Sequence, residues 1–134
     1  MTSTVTYLGE LRTEATHLFS GTKIITDAPL DNQGKAEAFS PTDLCATSLA
    51  TCALTIMGIS ARNHAFDMNG AYAEVTKIMA ADPRRIAKVI IRFVMPQNDY
   101  TDTQQQILEK AARTCPVSFS LAEGVEQVME FVWC

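Results

Sequence analysis

From Leu44 to Ala61 the chain carries no charged side chain, and this stretch limits the fold more than any other. Its positions are apolar (Leu44, Ala46, Leu49, Ala50, Leu54, Ile56, Met57, Ile59) or small (Thr47, Ser48, Thr51, Thr55, Gly58, Ser60). Just ahead of it stands Ser40-Pro41-Thr42-Asp43. Serine is a favoured N-cap, proline suits the first helical position, and an acid three residues after the cap resembles a capping box. The spacing predicts a helix from Pro41 to about Asn63. A helix without a charged face is buried on all sides. One chain of 134 residues can hardly surround it, so a second subunit is expected to help cover it.

The remaining elements follow from alternation and turn residues. Thr4 to Leu8, Leu11 to Phe19 and Lys23 to Thr26 read as strands, and Asp27 to Phe39 as a loop. Ala71 to Met79 and Ile86 to Met95 are strands joined by Asp82-Pro83-Arg84-Arg85. In the second of these, Ala87, Val89, Ile91, Phe93 and Met95 share a face. A helix capped by Thr101 or Asp102 runs through Arg113, and a shorter one runs from Pro116 to about Ala122, with Gly124 as its stop. Val125 to Trp133 is the last strand. The order βββ-α-ββ-αα-β predicts an α+β fold of antiparallel strands packed on a long central apolar helix, as a single domain over residues 1–134.

Apolar residues at 47% and charged residues at 19% exclude a disordered tail and a coiled coil. Unbroken apolar runs are short, such as Ile78 to Ala81 and Phe131 to Cys134, so no membrane span is expected. Met1 to Gly9 has neither the basic start nor the apolar stretch of a signal peptide, which points to the cytoplasm. A net charge of −4 disfavours nucleic acid and anionic membrane as partners.

Four cysteines remain to be explained: Cys45, Cys52, Cys115 and Cys134. Disulfide staples do not suit the cytoplasm. No Cys-x-x-Cys occurs and the only histidines are His17 and His64, so no metal or other cofactor is expected. That leaves structural thiols, or a redox pair assembled by the fold. Cys45 and Cys52 share a helix face but lie about 10 Å apart along the axis, too far to bond. Cys115 precedes Pro116 at a predicted helix start, where backbone N–H groups and the helix dipole favour a thiolate. Its default reading is a small apolar residue ending a helix. Cys52 lies mid-helix in apolar surroundings, where packing is the default role and reactivity needs an imported positive charge. Arg12 on an early strand is the first candidate for that charge, and Arg62 the competitor. Asp43 is a helix cap or a carboxylate that orients an arginine. It faces away from Cys52, about 13 Å along the axis, so the two do not touch directly.

Three segments together resemble the OsmC/Ohr family: Thr26-Asp27-Ala28-Pro29, the helix from Ser40-Pro41-Thr42-Asp43-Leu44 to Ala50-Thr51-Cys52, and Thr114-Cys115-Pro116-Val117-Ser118. The similarity runs from about Thr4 to Trp133 and is nearest to the broader OsmC-like branch. It implies an intertwined α+β homodimer with active sites at the subunit interface. It also implies a thiol-dependent peroxidase, free of metal, that reduces organic hydroperoxides and often hydrogen peroxide in oxidative-stress defence. In that resemblance Cys52 is the peroxidatic thiol and Cys115 the resolving one. Arg12 holds the thiolate, and Asp43 is the acid nearest the place where the family carries a glutamate. The resemblance further suggests a dithiol reductant such as a dihydrolipoyl protein. Leu49, Ile56 and Met57 are core residues first and pocket residues second. The rival expectation is a non-enzymatic dimer that binds a small apolar ligand between its helices.

Overall fold

The computed structural model describes all residues from Met1 to Cys134. The chain divides into two compact units, Met1–Cys45 and Ala46–Cys134.

The first unit is a three-stranded antiparallel sheet of β1 (Ser3–Gly9), β2 (Arg12–His17) and β3 (Lys23–Asp27), in the order β1-β2-β3. Glu10 and Leu11 turn the chain between β1 and β2 with φ of 56° and 61°. A tight hairpin wants this left-handed pair because its twist matches that of the strands. Leu11 therefore belongs to the turn, and β2 starts one residue later than alternation predicts. It also stops short of Phe19, because the His17 N–H donates to the Thr22 carbonyl and Gly21 N–H to His17. After β3, the expected loop holds one 3-10 turn, Leu30–Asn32. Gly34 closes this loop. A Cβ there would run into the Ala28 carbonyl, which is main chain, so only glycine fits.

Helix α1 spans Pro41–Asn63, as the start signal predicts. Ser40 N–H donates to Asp43 Oδ2 at 3.0 Å, and Asp43 N–H donates to Ser40 Oγ at 3.1 Å. The box is thus reciprocal, satisfying donors that a helix N-terminus leaves orphaned. Further along, Thr51 Oγ1 donates to the Ser48 carbonyl and Thr55 Oγ1 to the Thr51 carbonyl. These hydroxyls are satisfied on the helix itself, which lets them sit on an otherwise apolar cylinder.

In the second unit β4 (Tyr72–Ala80) and β5 (Arg85–Val94) form an antiparallel hairpin. After helices α2 (Asp102–Arg113) and α3 (Pro116–Ser120), strand β6 (Glu126–Val132) adds to the other edge of β5. The β5–β6 pairing is parallel, Lys88 opposite Glu126 through Val94 opposite Val132, which corrects the all-antiparallel expectation. The two intervening helices supply the crossover that parallel neighbours need. The core joins Ala46, Leu49, Ala50, Ala53, Met57 and Ala61 of α1 to Val89, Ile91 and Phe93 of β5 and to Leu108 and Ala112 of α2. Thr101 caps α2 in a reciprocal box with Gln104. Helix α3 ends at Ser120, with Leu121 already extended, so Gly124 is not its stop.

By length and composition α1 is apolar enough to cross a membrane. Threonines and serines interrupt its apolar runs, so run length alone does not reveal this. Its buried face packs in the core of the second unit, as a core helix does. Within its apolar stretch Thr51, Thr55 and Ile59 are exposed, an uncharged strip that this chain leaves uncovered.

Candidate active site

The second unit brings two of the four cysteines together. Cys52 lies half-buried on α1, and Cys115 is fully buried at the N-cap of α3. The Cys52 thiol lies close enough to influence the ionisation of Cys115. Ser118 N–H donates to Cys115 Sγ at 3.4 Å. Behind it, Ser118 Oγ donates to Gln127 Oε1 at 2.6 Å, and Gln127 Nε2 donates to the Ser118 carbonyl at 3.0 Å. These bonds fasten α3 to β6 and fix the Cys115 side chain against the core.

The helix start does not lower the Cys115 thiol as expected. Burial pushes it up, as does the adjoining Cys52, against the N–H groups of Ser118 and Val117. Taking an anion out of water outweighs two backbone donors on a helix of only five residues. Cys45 is half-buried and Cys134 exposed. Leu49 and Met57 lie fully buried in the core, while Ile56 is only partly covered. Arg62 lines a separate pocket of about 460 Å³ in the second unit with Thr55, Gly58, Ile59, Phe66 and Met68.

The first unit holds Arg12, opposite Asp27 in the β2–β3 register. Arg12 Nη2 donates to Asp27 Oδ2 at 3.2 Å and to Glu37 Oε2 at 2.8 Å. Both carboxylates raise the guanidinium pKa further, Glu37 first. Asp27 is 1% exposed, and three donors serve it. Glu37 N–H reaches Oδ2 and Ala28 N–H reaches Oδ1, each at 3.0 Å, beside the Arg12 bond. The Glu37 N–H is the largest influence holding Asp27 below the usual carboxylate range, burial opposes it, and Arg12 reinforces it. Nearby, the hydroxyls of Thr13 and Thr26 bond across the same strand pair. A cavity of about 210 Å³ adjoins the cluster, lined by Leu8, Gly9, Arg12, Lys35 and Glu37 among others. Asp43 serves as the cap of α1 described above.

Asp27 and Glu37 escaped the sequence reading as site residues. Glu37 stands 25 positions from Arg12, inside a loop whose path no periodicity reveals. Asp27 had a usable signal, since extending the β2–β3 hairpin by one pair places an acid across from Arg12.

Comparison with known proteins agrees with this architecture. The family model for OsmC-like protein matches residues 34–130. A crystal structure from Psychrobacter arcticus 273-4, named for osmotic stress induction and a detoxification response, is 55% identical. It covers 98% of this chain and 96% of its own, with a TM-score of 0.95. An organic hydroperoxide resistance protein OsmC from Legionella pneumophila shares the fold at 16% identity, TM-score 0.76, over 98% of this chain and 96% of that one. Another from Elizabethkingia anophelis does so at 14% identity, TM-score 0.77, over 100% and 97%. Comparison with curated proteins gives no match. With the model matching well over half its length, and a 55% identical relative spanning nearly all of it, the chain belongs to the OsmC-like family.

Proposed function

We propose that this protein is a homodimeric, thiol-dependent peroxidase that reduces organic hydroperoxides. The observation that carries the reading is the proximity of the Cys52 and Cys115 thiols, close enough for one to shift the ionisation of the other. The fold-level likeness to proteins named for organic hydroperoxide resistance supports the substrate class. Cys52, the more exposed thiol, attacks the distal peroxide oxygen as thiolate. The O–O bond breaks, the alkoxide takes a proton and leaves as an alcohol, and Cys52 becomes a sulfenic acid. Cys115 then attacks that sulfur, water leaves, and a Cys52–Cys115 disulfide forms. A dithiol such as a dihydrolipoyl group returns two electrons and restores both thiols. Arg12 is the cation assigned to the thiolate, and Asp43 is retained as a supporting carboxylate. The dimer is supported by the exposed, uncharged strip Thr51, Thr55 and Ile59 on α1 and by Val5, Tyr7, Leu8 and Phe19 of the first unit, these four more than half exposed.

Thiol titration before and after one equivalent of cumene hydroperoxide tests the reading. Wild type is expected to lose two thiols per chain. Cys115→Ser should stop at a sulfenic acid trapped by dimedone, and Cys52→Ser should consume no peroxide. Wild-type peroxide consumption by Cys52→Ser overturns the assignment. Unchanged thiols together with tight fatty-acyl binding favour a ligand carrier instead.

A further inference from the structure

We propose that Asp27 and Glu37 are the positioning residues of Arg12, holding its guanidinium in the orientation that thiolate chemistry uses. The proposal rests on the peroxidase reading, in which Arg12 supports Cys52.

Three features converge on it. First, both carboxylates meet the same nitrogen, Nη2, at 3.2 Å and 2.8 Å. A guanidinium carries five N–H donors, so Nε and Nη1 remain to receive another anion. Two anchors on one nitrogen fix the plane of the group without consuming the rest of it. Second, Asp27 cannot yield. It is buried, pinned by Ala28 and Glu37 backbone donors, and registered across the strand pair from Arg12. Third, Glu37 closes a ring: its N–H binds Asp27 while its carboxylate binds Arg12. The tight passage of Gly34 under Ala28 keeps that segment in place. The two arms are unequal, because the Glu37 side chain is 59% exposed and water screens its charge. Asp27 is therefore the anchor and Glu37 the weaker, exchangeable arm.

A purely structural role would make the same bonds, so the test must read chemistry through Arg12. The full-length chain is reacted with cumene hydroperoxide, and the rate of Cys52 consumption is followed against pH. Wild type, Arg12→Ala, Asp27→Asn, Glu37→Gln and the doubles with Arg12→Ala are compared, with a thermal midpoint for each. Asp27→Asn is expected to slow the reaction by up to about 100-fold, the scale of a group misplaced by about 1 Å. Glu37→Gln is expected to slow it by at most about fivefold, the ceiling for an exposed pair. Neither should slow Arg12→Ala further, because each acts through Arg12. Wild-type rate and pH profile in both single variants overturn the proposal. So does equal slowing of wild type and the Arg12→Ala background. Should Asp27→Asn fail to fold, the Glu37→Gln cycle at an exposed position decides alone. If Arg12→Ala reacts at the wild-type rate, the peroxidase role of Arg12 fails separately. Nitrogen-15 NMR of the guanidinium then reads the hold directly. Slow Nη2 rotation in wild type that quickens in Glu37→Gln supports the positioning, and free rotation in wild type overturns it.

Discussion

Between Met1 and Cys45 the buried side chains are Thr26, Asp27 and Ser40; from Ala46 onward they are Leu49, Met57, Val89, Ile91, Phe93, Leu108 and their neighbours. The first unit keeps hydroxyls and a carboxylate inside and shows Phe19, Leu30 and Tyr7 to the outside. The second buries apolar side chains, though Phe119 and Tyr72 stay exposed on it. A unit whose interior is polar gains specificity from hydrogen bonds, which contribute only about 0.5–1.5 kcal/mol each, and little from apolar burial. Its stability must come from its covalent continuation into α1 and from whatever covers its apolar exterior. The second unit has enough packed apolar surface to explain its own order.

The sharpest way to break this contrast is to truncate one phenylalanine in each unit. Phe93→Ala, at a fully buried and stacked ring, is expected to lower the unfolding free energy by about 3–5 kcal/mol in urea titrations. Phe19→Ala, at a side chain 98% exposed, should cost under about 0.5 kcal/mol where the chain is monomeric. A larger Phe19 cost that fades on dilution identifies a covering subunit, and equal costs at all concentrations end the contrast.

Backbone closure in the first unit comes next. Gly34→Ala would drive a Cβ into the Ala28 carbonyl, which is main chain and cannot swing aside. A loss of about 1–3 kcal/mol is expected, the range for overpacking. Hydrogen exchange at the Glu37 amide should quicken, while amides of β5 stay protected.

The smallest effect separates the units by pH. Asp27 has its folded pKa depressed, so its contribution is complete above the ordinary aspartate range and is lost as pH falls through the lower folded value. Cys115 has its pKa raised, so its contribution is complete below the ordinary thiol range and fades as pH climbs through the higher folded value. Acid should therefore loosen the first unit and alkali the second. Amide exchange at Glu37 and Ser118, followed across both ranges, checks this. Asp27→Asn should abolish the acid limb, and Cys115→Ala the alkaline one.

Much of this was legible where local rules act. Ser40-Pro41-Thr42-Asp43 marked the start of α1 because a capping box is built within four residues. Alternation exposed the inward face of β5, where Val89, Ile91 and Phe93 are indeed buried. Direction was not legible for β6, since a period of two is the same for parallel and antiparallel neighbours. Nor could spacing show that Cys52 meets Cys115, a contact made by packing; the pair came from family resemblance. The Arg12 cluster failed differently. Its acids were visible, but choosing among them needed the course of the loop through Gly34. For Cys115 the rule was sound and the balance wrong, because helix starts favour thiolates only while water can still reach them.

The parallel pairing of β5 with β6 also dictates an order of events. The β4–β5 hairpin closes across a short turn, whereas β5 and β6 meet only after Pro96 to Val125 has been looped out. Long closures cost more entropy and come later. Gln127, which ties α3 down beside Cys115, rides on that last strand. During folding the two thiols thus stay strangers until the sheet is nearly complete, and an oxidant that arrives early finds single cysteines without a resolving neighbour.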